Sequence, residues 1–228
     1  MAASDLLKVI EGALGVALDL GYAAKAEQHD LFEAYVLTLL LEAAKGMGWS
    51  LSLRDGTGAT VTAPIFRRGP GRLPSPGFTF ARMTKPGKQD LEAHLGVKVA
   101  GRTAVGVSAA TMSGSLLHEF DLLVLPAVDA AACRAANADP HHGVVVVHGE
   151  MKYFGGNLSL PIGRASVGMA AECVLGGKSV LVTNRMGLTV QDLVEHHDVA
   201  FRYRVTPKSP TAERHVRSWF QSVLRLAP

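Results

Sequence analysis

The segment Gly143 to Phe154, reading GVVVVHGEMKYF, constrains the fold more than any other. Four consecutive β-branched residues favour an extended backbone over a helix. A strand apolar at every position is covered on both faces, which requires helices packed on each side of the sheet. His118 to Leu125 (HEFDLLVL) also becomes a continuous apolar run, ending at Pro126. Trp49 to Arg54, Leu91 to Ala100 and Val199 to Val205 alternate, and Ser179 to Thr183 is short and apolar; all four read as strands.

Helical spacing fills the gaps. Residues 5 to 20 predict one helix, capped by Asp5 and stopped by Gly21. Residues 30 to 45 predict the strongest helix, apolar on nearly every face, with Asp30 as cap and Glu33 at the N3 position of a capping box. Shorter helices are expected over 129–138, 161–175 and 191–196, and an amphipathic one over 210–226. Residues 56 to 89, rich in Gly, Pro and Arg, predict a long irregular connection or insertion. The expected fold is one α/β (α+β) domain over 1–228, with a central mixed sheet between helices and helical additions at both termini.

Hydrophobic residues make up 48% of the 228-residue chain, enough for a full core, and charged residues 19%, too apolar a balance for disorder. The net charge of +3 permits a nucleic-acid partner without requiring one. Its cations gather in two stretches, Arg67, Arg68, Arg72, Arg82, Lys85 and Lys88, and Arg202, Arg204, Lys208, Arg214, Arg217 and Arg225. Each reads equally as a solvated surface or a phosphate-tracking one. Cys133 and Cys173 lie in no metal-ligand spacing, and no segment reads as a signal peptide or a membrane span, so a reduced cytoplasmic protein is expected.

Residues two apart on a strand share a face, so Glu119 projects with Asp121, and Glu150 with Lys152. If the two strands are neighbours, three carboxylates and an ammonium meet at the rim of the core. Clustered carboxylates repel and resist desolvation, and a divalent cation removes that penalty. An oxygen-rich, incomplete cage suits Mg²⁺ or Mn²⁺, which stabilise charge on a phosphate and activate a bound water. Lys152 has two roles open to it: orienting or deprotonating the water, or neutralising phosphate charge. An ExK pair alone usually marks an exposed strand edge; the preceding valines and the second acidic strand give this one its weight.

On these residues the chain resembles the PD-(D/E)XK restriction-endonuclease-like phosphodiesterases, whose core runs helix, three strands, helix, strand (αβββαβ). Asp121 matches the acidic position on their second core strand, and Glu150-Met151-Lys152 the (D/E)XK on the third; Phe120 stands where Pro is usual. The resemblance covers about residues 30–54 and 91–184. It implies a Mg²⁺- or Mn²⁺-dependent endonuclease acting on DNA, metal on Asp121 and Glu150, and Lys152 assisting the water. It further implies an acid on the first core helix, where Glu33 stands, and a polar residue on the helix after the third strand, where Arg164 stands ahead of Ser166 and Glu172. A homodimer is compatible with the class, since two single-strand cuts make one double-strand break. A catalytically silent relative that binds nucleic acid or a protein partner is the alternative.

Other features carry less. His148 shares parity with Glu150, His118 does not share that of Asp121, and His94 and Glu92 share one face of their strand and are weak candidates to join the same edge. His141-His142 and His196-His197 are adjacent and point apart, which suits loop surface better than chelation. Gly69-Pro70-Gly71-Arg72 lacks the Lys-Ser/Thr ending of a P-loop, and no GxSxG elbow occurs.

Overall fold

The computed structural model describes residues 3–104 and 117–228. The chain begins with α1 (Ala3–Leu14), α2 (Leu20–Lys25) and α3 (Gln28–Gly46). Five strands follow, β1 (Ser50–Arg54), β2 (Phe80–Thr84), β3 (Leu91–Ala100), β4 (Leu117–Pro126) and β5 (Val147–Lys152), with α4 (Ala127–Ala135) between the last two. The chain closes with α5 (Leu160–Glu172), β6 (Ser179–Thr183), α6 (Leu188–His196), β7 (Val199–Arg202) and α7 (Pro210–Arg225).

The strands form one seven-stranded sheet in sequence order. β1 through β5 run antiparallel to their neighbours, whereas β5, β6 and β7 are parallel. α5 and α6 carry the two parallel crossovers, as parallel pairing requires. The protein is thus α+β with a mixed sheet. One core packs α1, α3 and α7 on one face, through residues such as Ile10, Phe32, Leu40 and Phe220. The other packs α4, α5 and α6 on the opposite face, through Ala130, Ala170, Val190 and Val194. Among the described residues no helix is long and apolar enough to cross a membrane.

Several boundaries differ from expectation for identifiable reasons. The helix foreseen over 5–20 is two: Gly15 adopts φ +73°, and Asp19 restarts the chain by accepting the Tyr22 amide at 2.9 Å. Gly21 therefore lies inside α2 rather than at a stop. α3 begins a turn early, because the Asp30 carboxylate accepts the Glu27 amide at 2.8 Å and so occupies N3 itself. The 56–89 stretch contains β2, which joins the β1 edge to β3. Only the last valine of the run lies in the strand: His142–Val144 is a single 3₁₀ turn and pairing starts at Val147. The two-sided burial holds nonetheless, with Val145 in one core and Val146 and Val147 in the other.

β3 and β4 share one irregularity, and it lies beside the predicted site. Leu95 packs in the α3-side core, yet Val97 and Val99 pack in the other; across the ladder, Leu122 and Phe120 divide the same way. Residues two apart on a regular strand share a face, so both strands switch faces between these pairs. The switch passes through Gly96, at φ +59°, and Asp121 opposite it. A Cβ on Gly96 would lie 2.9 Å from the Gly69 carbonyl oxygen, so only glycine fits this turn of the backbone.

Candidate active site

β4 and β5 pair through Val124–Val147, Leu123–His148 and Leu122–Gly149, and there the ladder ends. β5 keeps pairing with β6 as far as Lys152–Thr183. The sheet therefore forks one residue beyond Leu122 and Gly149, at Asp121 and Glu150. The face switch at Asp121 turns its side chain into the fork. Its Oδ2 accepts the Met151 amide at 2.7 Å, replacing the ladder bond that the divergence removes. Gly149 lets the strands stay close just before they part, since a Cβ there would stand 3.0 Å from that of Leu122.

Lys152 closes the fork. Its Nζ lies 2.9 Å from Asp121 Oδ2 and 2.8 Å from Glu150 Oε1. Asp121 and Glu150 are buried, and Lys152 is about a third exposed. Burial disfavours the ammonium, but the Asp121 and Glu150 carboxylates outweigh it and hold Lys152 protonated above its ordinary range. Of the two roles open to Lys152, this arrangement favours the fixed cation.

The acids respond in the opposite direction. Burial, and then the Asp121 carboxylate, pushes Glu150 up to about 7 against the pull of Lys152. Burial and Asp121 likewise push Glu33 up to about 9. Glu33 therefore belongs to this cluster. Its competing capping role falls away, because Asp30 takes the N3 position. Glu119, half-buried and opposite Lys98, is raised by burial and by Asp121, which places it at the margin.

Other candidates lie elsewhere. Arg164 is exposed in the first turn of α5, and the main charges acting on the site acids do not include it. Glu172 accepts the Thr103 amide and hydroxyl, both at 2.7 Å. His148 sits beneath the fork in the second core, 4.2 Å from the Phe120 ring centroid and 2.8 Å from Ser179 Oγ. Burial, with Lys152 second, lowers it to about 3, so it is a neutral packing residue. Glu92 and His94 form a separate network. Arg134 clasps Glu92 at 2.8 and 2.9 Å, Arg82 reaches it at 3.1 Å and His94 at 3.0 Å.

The two basic stretches part company. Arg67 donates to the Arg72 carbonyl and caps the Phe78 ring, Arg68 donates to the Lys25 carbonyl, and Arg72 pairs with Asp139. Arg82 pairs with Asp90, and Lys85 and Lys88 bond the Met47 and Ala227 carbonyls. This stretch is structural. In the C-terminal set, Arg217 pairs with Glu42, while Arg204, Lys208 and Arg214 have no hydrogen-bond or ion-pair partner among the described residues. Sequence reasoning could not separate the two sets, because the partners of Arg68, Arg72, Lys85 and Lys88 lie 38 to 139 residues away in the chain.

Lys152 pairs with Asp121 and Glu150, while half-buried Glu33 acts on the site electrostatically, through Asp121 and Lys152; carboxylate oxygens of this kind suit a hard cation such as Mg²⁺ or Mn²⁺. Among the described residues no group of three or more His, Cys, Asp or Glu side chains is placed to hold a metal ion. Lys152 sits between the two acids that would hold one, so uptake must displace its ammonium.

No protein family, curated protein or solved structure compared with this chain matches it. The class that fold and site define is therefore broad: an α+β protein whose mixed sheet forks around a buried acid–lysine cluster.

Proposed function

We propose that this chain is a divalent-metal-dependent nuclease of the restriction-endonuclease-like class, hydrolysing phosphodiester bonds in DNA. The observation that carries this reading is the fork, where Lys152 meets Asp121 and Glu150 within 3 Å on diverging strands. The order of elements supports it. α3, β3, β4, β5, α5 and β6 follow the helix, three strands, helix, strand sequence of that class, with the β1–β2 hairpin inserted after the helix and α4 inserted between β4 and β5.

Asp121 and Glu150 are the residues that would hold Mg²⁺ or Mn²⁺, and the ion would stabilise phosphate charge and lower the pKa of a bound water. Asp121 is held in place for this by the Met151 amide. Lys152, kept protonated, sets a positive charge beside the developing negative charge of the phosphate. Glu33 and Glu150 hold protons more tightly than ordinary carboxyls, so charging them near neutrality depends on an added cation.

The ion pairs of Lys152 also satisfy both acids unaided, which favours a second reading: a silent relative that binds nucleic acid without cutting it. Incubation with supercoiled plasmid separates the two. The nuclease reading predicts Mg²⁺-dependent nicking that falls at least about 100-fold in Lys152→Ala, the scale of loss when a fixed transition-state charge is removed. Equal background from both proteins, with and without Mg²⁺, rejects catalysis.

A further inference from the structure

A groove of about 750 Å³ lies away from the fork, between α7 and the end of β7 with α6. Its volume falls within the roughly 300–1,000 Å³ of small-molecule sites. Arg202, Tyr203, Arg204, His215 and Trp219 line it, with Glu195 the acidic member. We propose that this groove binds single-stranded nucleic acid, its bases stacking on Tyr203 and Trp219 and its phosphates meeting Arg202 and Arg204.

Four observations carry the assignment. The groove draws on the C-terminal basic set, whose Arg204 lacks an internal partner among the described residues, whereas the cations of the 67–88 stretch bond within the fold. Arg202 gives one N–H to the Phe201 carbonyl at 2.8 Å, yet its Nε is buried with no acceptor. An unpaired buried donor is costly, and a phosphate oxygen would satisfy it. Burial penalises the Arg202 charge and Glu195 only partly offsets this. Arg204 sits at φ +55°, a conformation that costs a non-glycine residue about 1 kcal/mol or more and that gathers at binding sites.

The chemistry points to a single strand rather than a duplex. Half-buried aromatic rings beside arginines suit unpaired bases, whose faces are open for stacking; in a duplex those faces are covered. The location also fits. Met151, Val182 and Arg202 are in register across three parallel strands, so the groove lies at the same end of the strands as the fork, with β7 two strand spacings (about 10 Å) from β5. That relation matters only if the fork is a nuclease; binding in the groove does not depend on it.

The test is fluorescence anisotropy of a labelled oligothymidylate with the full chain in EDTA, where no metal-dependent cleavage can occur. Arg204→Ala, an exposed change, is expected to weaken binding about tenfold and to flatten the log–log salt dependence by about 0.7, one single-strand phosphate contact. Arg68→Ala should match the wild type. In a Trp49→Phe background, where Trp219 is the remaining tryptophan, bound oligonucleotide should quench fluorescence. Absent binding, equal binding in Arg202→Ala and Arg204→Ala to that of the wild type, or an equal preference for duplex overturns the proposal. Because binding is read in EDTA and nicking in Mg²⁺, oligothymidylate binding can stand while plasmid nicking fails, and the reverse, so failure of one claim is distinguishable from failure of the other.

Discussion

Glu33 shows how much a single side chain can change meaning between sequence and structure. By spacing it is equally a helix cap and a site acid, because Asp30 reads as the cap and three residues later is N3. The Asp30 carboxylate decides the matter by reaching back to the Glu27 amide, which takes the capping role from Glu33, and the charge of Asp121 acts on Glu33 instead. The consequence is a pH dependence of defined sign. Folded Glu33 and Glu150 have pKa values raised to about 9 and about 7, above the roughly 4.3 of an unfolded glutamate. The unfolded chain therefore releases these protons first, and stability is lost as pH rises from about 4.3 through 7 and 9. At pH 8 without metal, Glu33→Gln should raise the thermal midpoint, and Mg²⁺ should narrow the gap to wild type. A lower midpoint for the variant, measured by circular dichroism at pH 8 in EDTA, contradicts this.

At the scale of elements, the sheet strands and their burial were legible because apolar runs have few alternatives. Leu91–Ala100 and Ser179–Thr183 match their expected bounds, and most other helix and strand ends shift by a few residues. The unreadable parts were set by contacts distant in sequence. β2 hides in a Gly/Pro/Arg-rich stretch whose cations find partners elsewhere in the fold, and the face switch of β3 and β4 depends on a backbone twist at Gly96. Parity reasoning alone put Glu119 beside Asp121, and it holds only until that switch. The network around Glu92 likewise emerges only in three dimensions, joining β2, β3 and α4. Glu92 is fully buried, and its histidine and arginine partners overcome burial to lower its pKa to about 2. Its stabilisation is present above the unfolded value of roughly 4.3 and is lost as pH falls toward 2. Glu92→Gln should cost about 3–5 kcal/mol in urea unfolding at pH 7, since it strands Arg134 and Arg82, and should flatten the acid limb of the stability curve. A loss below about 1 kcal/mol would mean that the arginines re-pair with solvent.

The whole molecule joins a mixed sheet covered on both faces, a fork that gathers buried acids, and a cationic–aromatic groove at the same end of the strands. Burial lets the acids coexist by keeping protons on them: Lys152 pairs with Asp121 and Glu150, while Glu33 and Glu150 keep raised pKa values. A divalent ion would take the place of those protons. The most direct test is isothermal titration of the full chain with Mn²⁺ near pH 7, repeated in two buffers of different ionisation enthalpy. A metal centre at the fork predicts uptake accompanied by proton release, because a bound cation lowers the raised pKa values of Glu150 and Glu33, and both signals should vanish in Asp121→Asn. Binding that persists in that variant, or no uptake by the wild type, would contradict the assignment of the fork as a metal centre.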